Sequence, residues 1–429
     1  MDWRRKQAEE KHWRWRTHLT WLRPGLGVKR WLLLIAIGVG LLSFGGAFAL
    51  RALYPLPRYF YYLTLQFLPQ LVRAVLFLLV GGGLLAAGLW GLNRTLLAPF
   101  MDAPYSALPG KLYEYRRRGR GPKVVVIGGG HGQAMILRGL KRYTSNLTAI
   151  VTVADDGGSS GRLRRQLGIL PPGDFRNCIT ALANDEALVT RLFQYRFAGD
   201  GELSGHSFGN LFISAMADIT GAFESALVAS SRVLAVQGRV LPSTLEAVTL
   251  CADMQRPDGS AHRVCGESNI PQAEGQILRV MLIPSSPSAY PEAVRAILEA
   301  ELIVIGPGSL YTSILPNLSV PDIAEALRAT TVPRVYICNV ATQRGETDGY
   351  TAQRHYQTLV NHVGQNVFSS AIINTRYPDT SLPDGVAWVS ADLTSRKDFR
   401  VIQGAFVDPA VGWRHDSEKL AHEVMALLT

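Results

Sequence analysis

Lys123-Val-Val-Val-Ile-Gly-Gly-Gly-His-Gly132 is the stretch that decides how the chain folds. Val124 to Ile127 are apolar and mostly β-branched without alternation, which is the pattern of a short strand buried on both faces of a parallel sheet. The strand runs into three glycines, then His131 and Gly132. From about residue 133 to 143 an amphipathic helix is predicted, with Met135, Ile136, Leu137 and Leu140 on its apolar side. A strand, a glycine turn and a helix N-terminus together bring bare backbone N–H groups up to a phosphate. A plain βα turn also favours glycine, so this stretch alone leaves both readings open.

Downstream of it, strands and helices alternate. Strands are predicted at 124–127, 147–153, 301–305, 334–338 and 367–373. Helices are predicted near 133–143, 179–195, 209–219, 222–235, 291–299, 321–329, 351–363 and 416–428. Such alternation predicts an α/β fold, a parallel sheet with helices on both faces. Between about 233 and 283 the runs become short, polar-interrupted and β-rich, which predicts an inserted antiparallel piece or a lid.

The formal net charge of +10 is unevenly spread. Residues 1–121 hold 18 Lys+Arg against 5 Asp+Glu, or +13, and the remainder holds 26 against 29, or −3. The larger part therefore lacks the basic footprint of a nucleic-acid binder. Residues 31–50 carry no charge, and at 1.5 Å per residue span roughly 30 Å, enough to cross a hydrocarbon core. The stretch 74–92 is likewise uncharged. A two-helix membrane hairpin over 31–92 is predicted, with a basic segment 1–30 before it and a basic linker 93–121 after it. The flanking Lys and Arg outnumber those of the connecting loop, which puts both termini in the cytoplasm at the inner membrane. Trp3, Trp13, Trp15 and Trp21 among the basic residues suit a surface of anionic lipids. Cys178, Cys251, Cys265 and Cys338 form no CxxC pair, which argues against a disulfide framework and a structural zinc site and for a reducing cytosol.

Five loops beyond the first glycine turn carry candidate chemistry. In Ala154-Asp155-Asp156-Gly157-Gly158-Ser159-Ser160-Gly161, Asp155 lies about 25 residues past the glycine turn, where a doubly wound fold sets an acid beside a ribose or a metal. Asp-Asp-Gly-Gly is also good turn chemistry by itself. Pro171-Pro172-Gly173-Asp174-Phe175-Arg176-Asn177 offers a carboxylate and a bidentate donor, or Asp174 simply caps a helix beginning near Asn177. Gly205-His206-Ser207-Phe208-Gly209-Asn210 makes a second polar helix start, with His206 either an acid/base group or a solvated loop residue. Gly306-Pro307-Gly308-Ser309-Leu310-Tyr311-Thr312-Ser313 follows a strand, as does Cys338-Asn339-Val340-Ala341-Thr342-Gln343-Arg344-Gly345-Glu346-Thr347. The dinucleotide fingerprint fails, because Gln133 stands where its third glycine belongs, and no Walker A lysine is present. An NAD dehydrogenase is thereby disfavoured.

In that order, GGGHG, ADDGGSSG, PPGDFRN, GHSFGN, GPGSLYTSILPNL and CNVATQRGETDGY resemble the bacterial gluconeogenesis factor family, related to the 2-phospho-L-lactate transferases. The resemblance covers about residues 123–429. It implies a Rossmann-like three-layer domain with its pocket at the carboxyl ends of the strands. For the gluconeogenesis-factor branch it implies binding of a UDP-sugar such as UDP-N-acetylglucosamine, and a role in cell shape and envelope synthesis during gluconeogenic growth. For the transferase branch it implies attack of a hydroxyl on an activated phospholactate, helped by Mg²⁺.

The ligand-binding candidates are Gly128, Gly129, Gly130, His131, Gly132, Ser159, Ser160, Arg176, Asn210, Gly306, Gly308, Ser309, Thr312, Asn339, Gln343 and Glu346. Asp155, Asp156 and His206 are the catalytic candidates, and Asp155 and Asp156 the pair for Mg²⁺. Two departures stand out: the membrane spans are an addition to the family pattern, and Arg344 replaces the proline of MTQPGET. The expected partners are a nucleotide-sugar or other nucleotide-diphosphate ligand and the inner membrane with its anionic lipids but no nucleic acid, with envelope-synthesis proteins and a second copy left open. Residues 122–429 form the expected nucleotide-binding domain.

Overall fold

A computed structural model describes residues 118–428 apart from 120, 185 and 380, together with 61, 62, 65–97 and the isolated positions 37, 39, 40 and 43. The strands are β1 (Val124–Gly128), β2 (Leu147–Val151), β3 (Arg239–Pro242), β4 (Thr249–Gln255), β5 (Ala261–Cys265), β6 (Gln276–Ile283), β7 (Leu302–Ile305), β8 (Arg334–Ile337), β9 (Ser370–Asn374) and β10 (Arg400–Gly404). Seven of them make one sheet in the order β10-β9-β8-β7-β1-β2-β3, with every neighbouring pair parallel. β1, β2, β7 and β9 are buried along their whole length, which is why they read as continuous apolar runs. The result is an α/β fold with a parallel central sheet, consistent with a Rossmann-like arrangement.

Strand order reverses at β1. From there the chain builds outward to β2 and β3 on one side, then returns to lay β7 on the other. Open α/β sheets hold their ligands in the crevice outside the strand ends at such a switch point. Here that crevice lies between the Gly128 end of β1 and the Ile305 end of β7, paired in register through Ile127 and Ile305. Gln133 reinforces the junction from inside, donating to the carbonyls of Val126 and Ile150, 2.9 Å each.

The structure corrects several expectations. β10 is absent from the sequence reading, and β3, expected within the antiparallel insertion, is instead a parallel edge strand of the main sheet; both are edge strands, RVLP and RVIQG, with polar residues that blur the apolar signal. The Gly- and Ser-rich stretch after Asp156 is a helix, Gly158–Leu167, despite two glycines that weaken it. The helix expected over 179–195 is two, Gly173–Leu182 and Glu186–Gln194. The first begins at Gly173 directly after two prolines, and Pro172 in the capping position provides no side-chain cap. Asp174 therefore does not cap a helix starting near Asn177.

A second sheet, β5-β4-β6, is antiparallel and occupies residues 249–283. Its register sets Cys251 opposite Cys265, and the two are joined in a disulfide. The expectation of unpaired cysteines fails here because residues 14 apart in sequence become direct neighbours across a hairpin.

The chain divides into two units, residues 1–117 and 118–429. The predicted span 31–50 lies outside the described residues except for four positions. Among described residues, no single helix is long and apolar enough to cross a membrane. The stretch 74–92 falls within the 28-residue helix Gln70–Leu97, whose side chains are described only in part. Of those, Leu71, Leu79 and Val80 are exposed.

Candidate functional site

The crevice at the switch point opens into a cavity of about 800 Å³, within the range that small-molecule sites occupy. One wall is the turn Gly129–Gly132 that starts the helix Gly130–Leu140. The first N–H groups of a helix have no acceptor inside it. That of Gly130 turns to the Asp174 carboxylate. Those of His131 and Gly132 come next at the same helix start, beside the cavity. Gly132 fits so closely that a Cβ there would lie 2.4 Å from the Pro307 carbonyl oxygen.

The opposite wall comes from the ends of β7 and β8. Gly306 turns the chain with φ +80°. The next peptide is clamped by Asn339, whose amide donates to the Gly308 carbonyl at 2.9 Å and accepts from the Gly308 N–H at 3.3 Å. Glu346 lies behind the wall. It accepts from the Thr312 hydroxyl at 3.0 Å, the Gln343 amide at 2.8 Å and the Tyr311 N–H at 3.3 Å. Burial pushes Glu346 up to about 7. Glu346→Ala is expected to leave the buried Thr312 hydroxyl and Tyr311 N–H unpaired and to cost about 2–4 kcal/mol of stability. Urea unfolding measures this, and a loss below about 0.5 kcal/mol would mean that these bonds do not hold the wall.

Asp155, Asp174 and Glu267 face the cavity together. Asp155 is raised chiefly by burial, against bonds from the Gly157 N–H and the Ser160 hydroxyl. Burial and then the Asp155 charge push Asp174 up to about 7. Glu267 is pushed up to about 8 by burial and by the charges of Asp155, Asp174, Glu346 and Asp156. Arg138, Arg344 and Arg414 supply positive charge around the same space, with Arg414 lying 5.0 Å over the Trp413 ring. His131 is held below its ordinary range by burial and by the charges of Arg414, Arg176 and Arg138, which keeps its ring neutral at pH 7.

Of the candidates read from sequence, Gly129, Gly130, His131, Gly132, Asp155, Gly308, Ser309, Thr312, Asn339 and Gln343 line the cavity. Gly128 ends β1 with its carbonyl accepting from Asn317, and Gly306 forms the turn below the wall. Asp156 points elsewhere, accepting from the Ser268 N–H at 2.9 Å. Ser159, Ser160, Arg176, Asn210 and His206 converge on one another. Arg176 donates to Ser207 and Asn210, Asn210 donates to both serines, and Ser159 pairs with the His206 ring at 3.0 Å. This buried network reaches the cavity through the Ser160 bond to Asp155. The sequence reading did not single out Glu267, Trp413 and Arg414. Glu267 comes from the antiparallel piece and the other two from the loop before the last helix, Ser417–Met425.

The family of 2-phospho-L-lactate transferase CofD matches residues 124–407. The gluconeogenesis factor of Listeria monocytogenes is 46% identical over 312 residues, covering 72% of this chain and 96% of that protein. A Clostridium acetobutylicum relative of the same class is 40% identical over 418 residues, 94% of this chain and 90% of its own. The crystal structure of a Bacillus halodurans protein, 43% identical, aligns with a TM-score of 0.65 over 71% of this chain and 99% of that one.

Proposed function

Because the chain belongs to the gluconeogenesis factor family and carries the 2-phospho-L-lactate transferase domain, we propose that its cavity binds a UDP-sugar such as UDP-N-acetylglucosamine. The observation that carries this reading is the meeting of two glycine loops, Gly129–Gly132 and Gly306–Ser309, across the switch point. One presents a helix N-terminus to an anion, and the other offers hydroxyls of Ser309, Thr312 and Ser313. Asn339 and Gln343 are amides suited to reading a sugar or base edge, and the arginines complement a diphosphate.

The N-terminal part would tether this unit to the inner face of the membrane. Its basic flanks and uncharged stretches support that reading. The Clostridium relative aligns over nearly the whole chain, so the N-terminal part is not peculiar to this protein. The proposed role is to support cell shape and envelope synthesis during gluconeogenic growth, beside the enzymes that consume such sugars.

A second reading is a Mg²⁺-dependent transfer of a phosphorus-containing group. Among the described residues no three His, Cys, Asp or Glu side chains gather as metal ligands. Mg²⁺ with a nucleotide commonly takes only one or two carboxylates besides phosphates and water, and Asp155 with Asp174 meets that need better than Asp155 with Asp156. The ion would neutralise charge on a diphosphate.

Titration of the full chain in detergent with UDP-N-acetylglucosamine, first in EDTA and then in Mg²⁺, separates the readings. Binding in EDTA with the nucleotide intact after hours is the expected result. Mg²⁺-dependent consumption, lost in Asp155→Ala, would move the assignment to the transferase, and no binding in either buffer would overturn the proposal.

A further inference from the structure

Glu267 enters the cavity from the loop directly after Cys265, and the geometry points to a redox control of the ligand site: the Cys251–Cys265 disulfide holds Glu267 in the cavity, and its reduction releases it. This inference rests on the reading that the cavity takes an anionic ligand. β5 is the outer strand of its sheet, paired only with β4. Cys265 is its last residue and is exposed, whereas Cys251 on β4 is buried. The loop that follows is short and held at both sides. The Gly266 N–H donates to the Leu250 carbonyl at 2.8 Å, and the Ser268 N–H donates to Asp156 at 2.9 Å. Gly266 has φ +103°, and a Cβ there would lie 2.7 Å from the Asn269 amide nitrogen and 2.8 Å from the Asp156 carboxylate. With the disulfide closed, Glu267 is kept beside Asp155 and Asp174 on a side that an anion must approach.

A disulfide in a reducing compartment is more often a sensor than a staple. An attacking thiolate has access to the exposed Cys265 sulfur. A dithiol reductant breaks the S–S bond through a mixed disulfide, gives up two electrons and two protons, and leaves as its own disulfide. Cys251 and Cys265 become thiols, and the Glu267 loop loses its one covalent tie while keeping its backbone bonds, the Ser268 bond to Asp156 and the Asn269 and Gln272 amide bonds to the Cys265 and Ser268 carbonyls. With Glu267 free to leave, one acid fewer opposes a diphosphate. The reduced chain is therefore the tighter binder.

The test compares the full chain oxidised and reduced at pH 8.5, with thiol counting to verify each state. Affinity for UDP-N-acetylglucosamine is read by calorimetry, and amide hydrogen exchange at residues 266–269 by mass spectrometry. The expected result is roughly tenfold tighter binding and faster exchange on reduction, by the Coulomb repulsion removed at close range. Cys265→Ser should match the reduced chain, and Glu267→Gln should bind tightly in both states. If the disulfide does not form on oxidation, if exchange at 266–269 is the same in both states, or if the nucleotide binds with equal measurable affinity in both, the inference is overturned. If exchange responds but the nucleotide binds in neither state, the control stands and the ligand reading fails.

Discussion

A Gly132→Ala chain is expected to bind the nucleotide about 100-fold more weakly, roughly 2.8 kcal/mol. The argument is steric. Gly132 sits in the first turn of the helix Gly130–Leu140, where alanine would normally stabilise by about 1 kcal/mol. Its backbone needs no left-handed conformation, so alanine carries no strain of its own. The added Cβ would stand 2.4 Å from the Pro307 carbonyl oxygen, 2.8 Å from its carbon and 3.0 Å from the Gly308 Cα. All three are backbone atoms that cannot rotate aside, so the two loops must part. A site whose donors move by a substantial fraction of an ångström loses most of its preorganisation. Gly201→Ala, where nothing lies within 4 Å of the new Cβ, serves as the silent comparison. Calorimetric affinities within threefold of each other for the two variants would refute this account of the wall.

The second large effect is on stability against pH. Asp174 and Glu267 sit at about 7 and about 8 in the folded chain, above the ordinary carboxylate range. Over the window from about 4 to 8, the native state therefore holds more protons than the unfolded one. By linkage, stability from these groups is present at low pH and falls as pH rises through their folded values. His131, His206 and His415 are shifted down and act oppositely below about 6.5. The clean interval is thus pH 6.5 to 8.5. Both acids border a cavity open to water, so the loss is smaller than their shifts imply, about 2 kcal/mol over that interval. Asp174→Asn combined with Glu267→Gln should remove most of it, the remainder belonging to Glu346 at about 7 and to the raised Asp155, leaving the double variant more stable at pH 8.5 than the parent. Urea midpoints at three pH values measure this, and parallel curves for parent and variant would contradict it.

The glycine turn and both walls were legible because β1 and β7 are buried on both faces and end abruptly in glycine. Their partners in space were not. A polar residue beside a helix start reads the same whether it faces a ligand or a neighbouring helix. Sequence therefore grouped Arg176, Asn210 and His206 with Gly129 and Ser309, although the first three bond chiefly within a network behind the cavity. Asp155 and Asp156 are adjacent and chemically alike, yet their side chains take different partners. One meets the cavity and the other the Ser268 N–H. Glu267 and Arg414 carry no motif spacing, because a hairpin and a late loop bring them in from far along the chain. The same hairpin hid the Cys251–Cys265 pair.

The most direct test of the central claim is a crystal structure of the full chain with UDP-N-acetylglucosamine. The account predicts the diphosphate between the two glycine loops, within hydrogen-bond distance of the His131 and Gly132 N–H groups and with Arg138, Arg344 or Arg414 on its oxygens. A nucleotide held elsewhere, or this cavity filled only by water at saturating ligand, would contradict it.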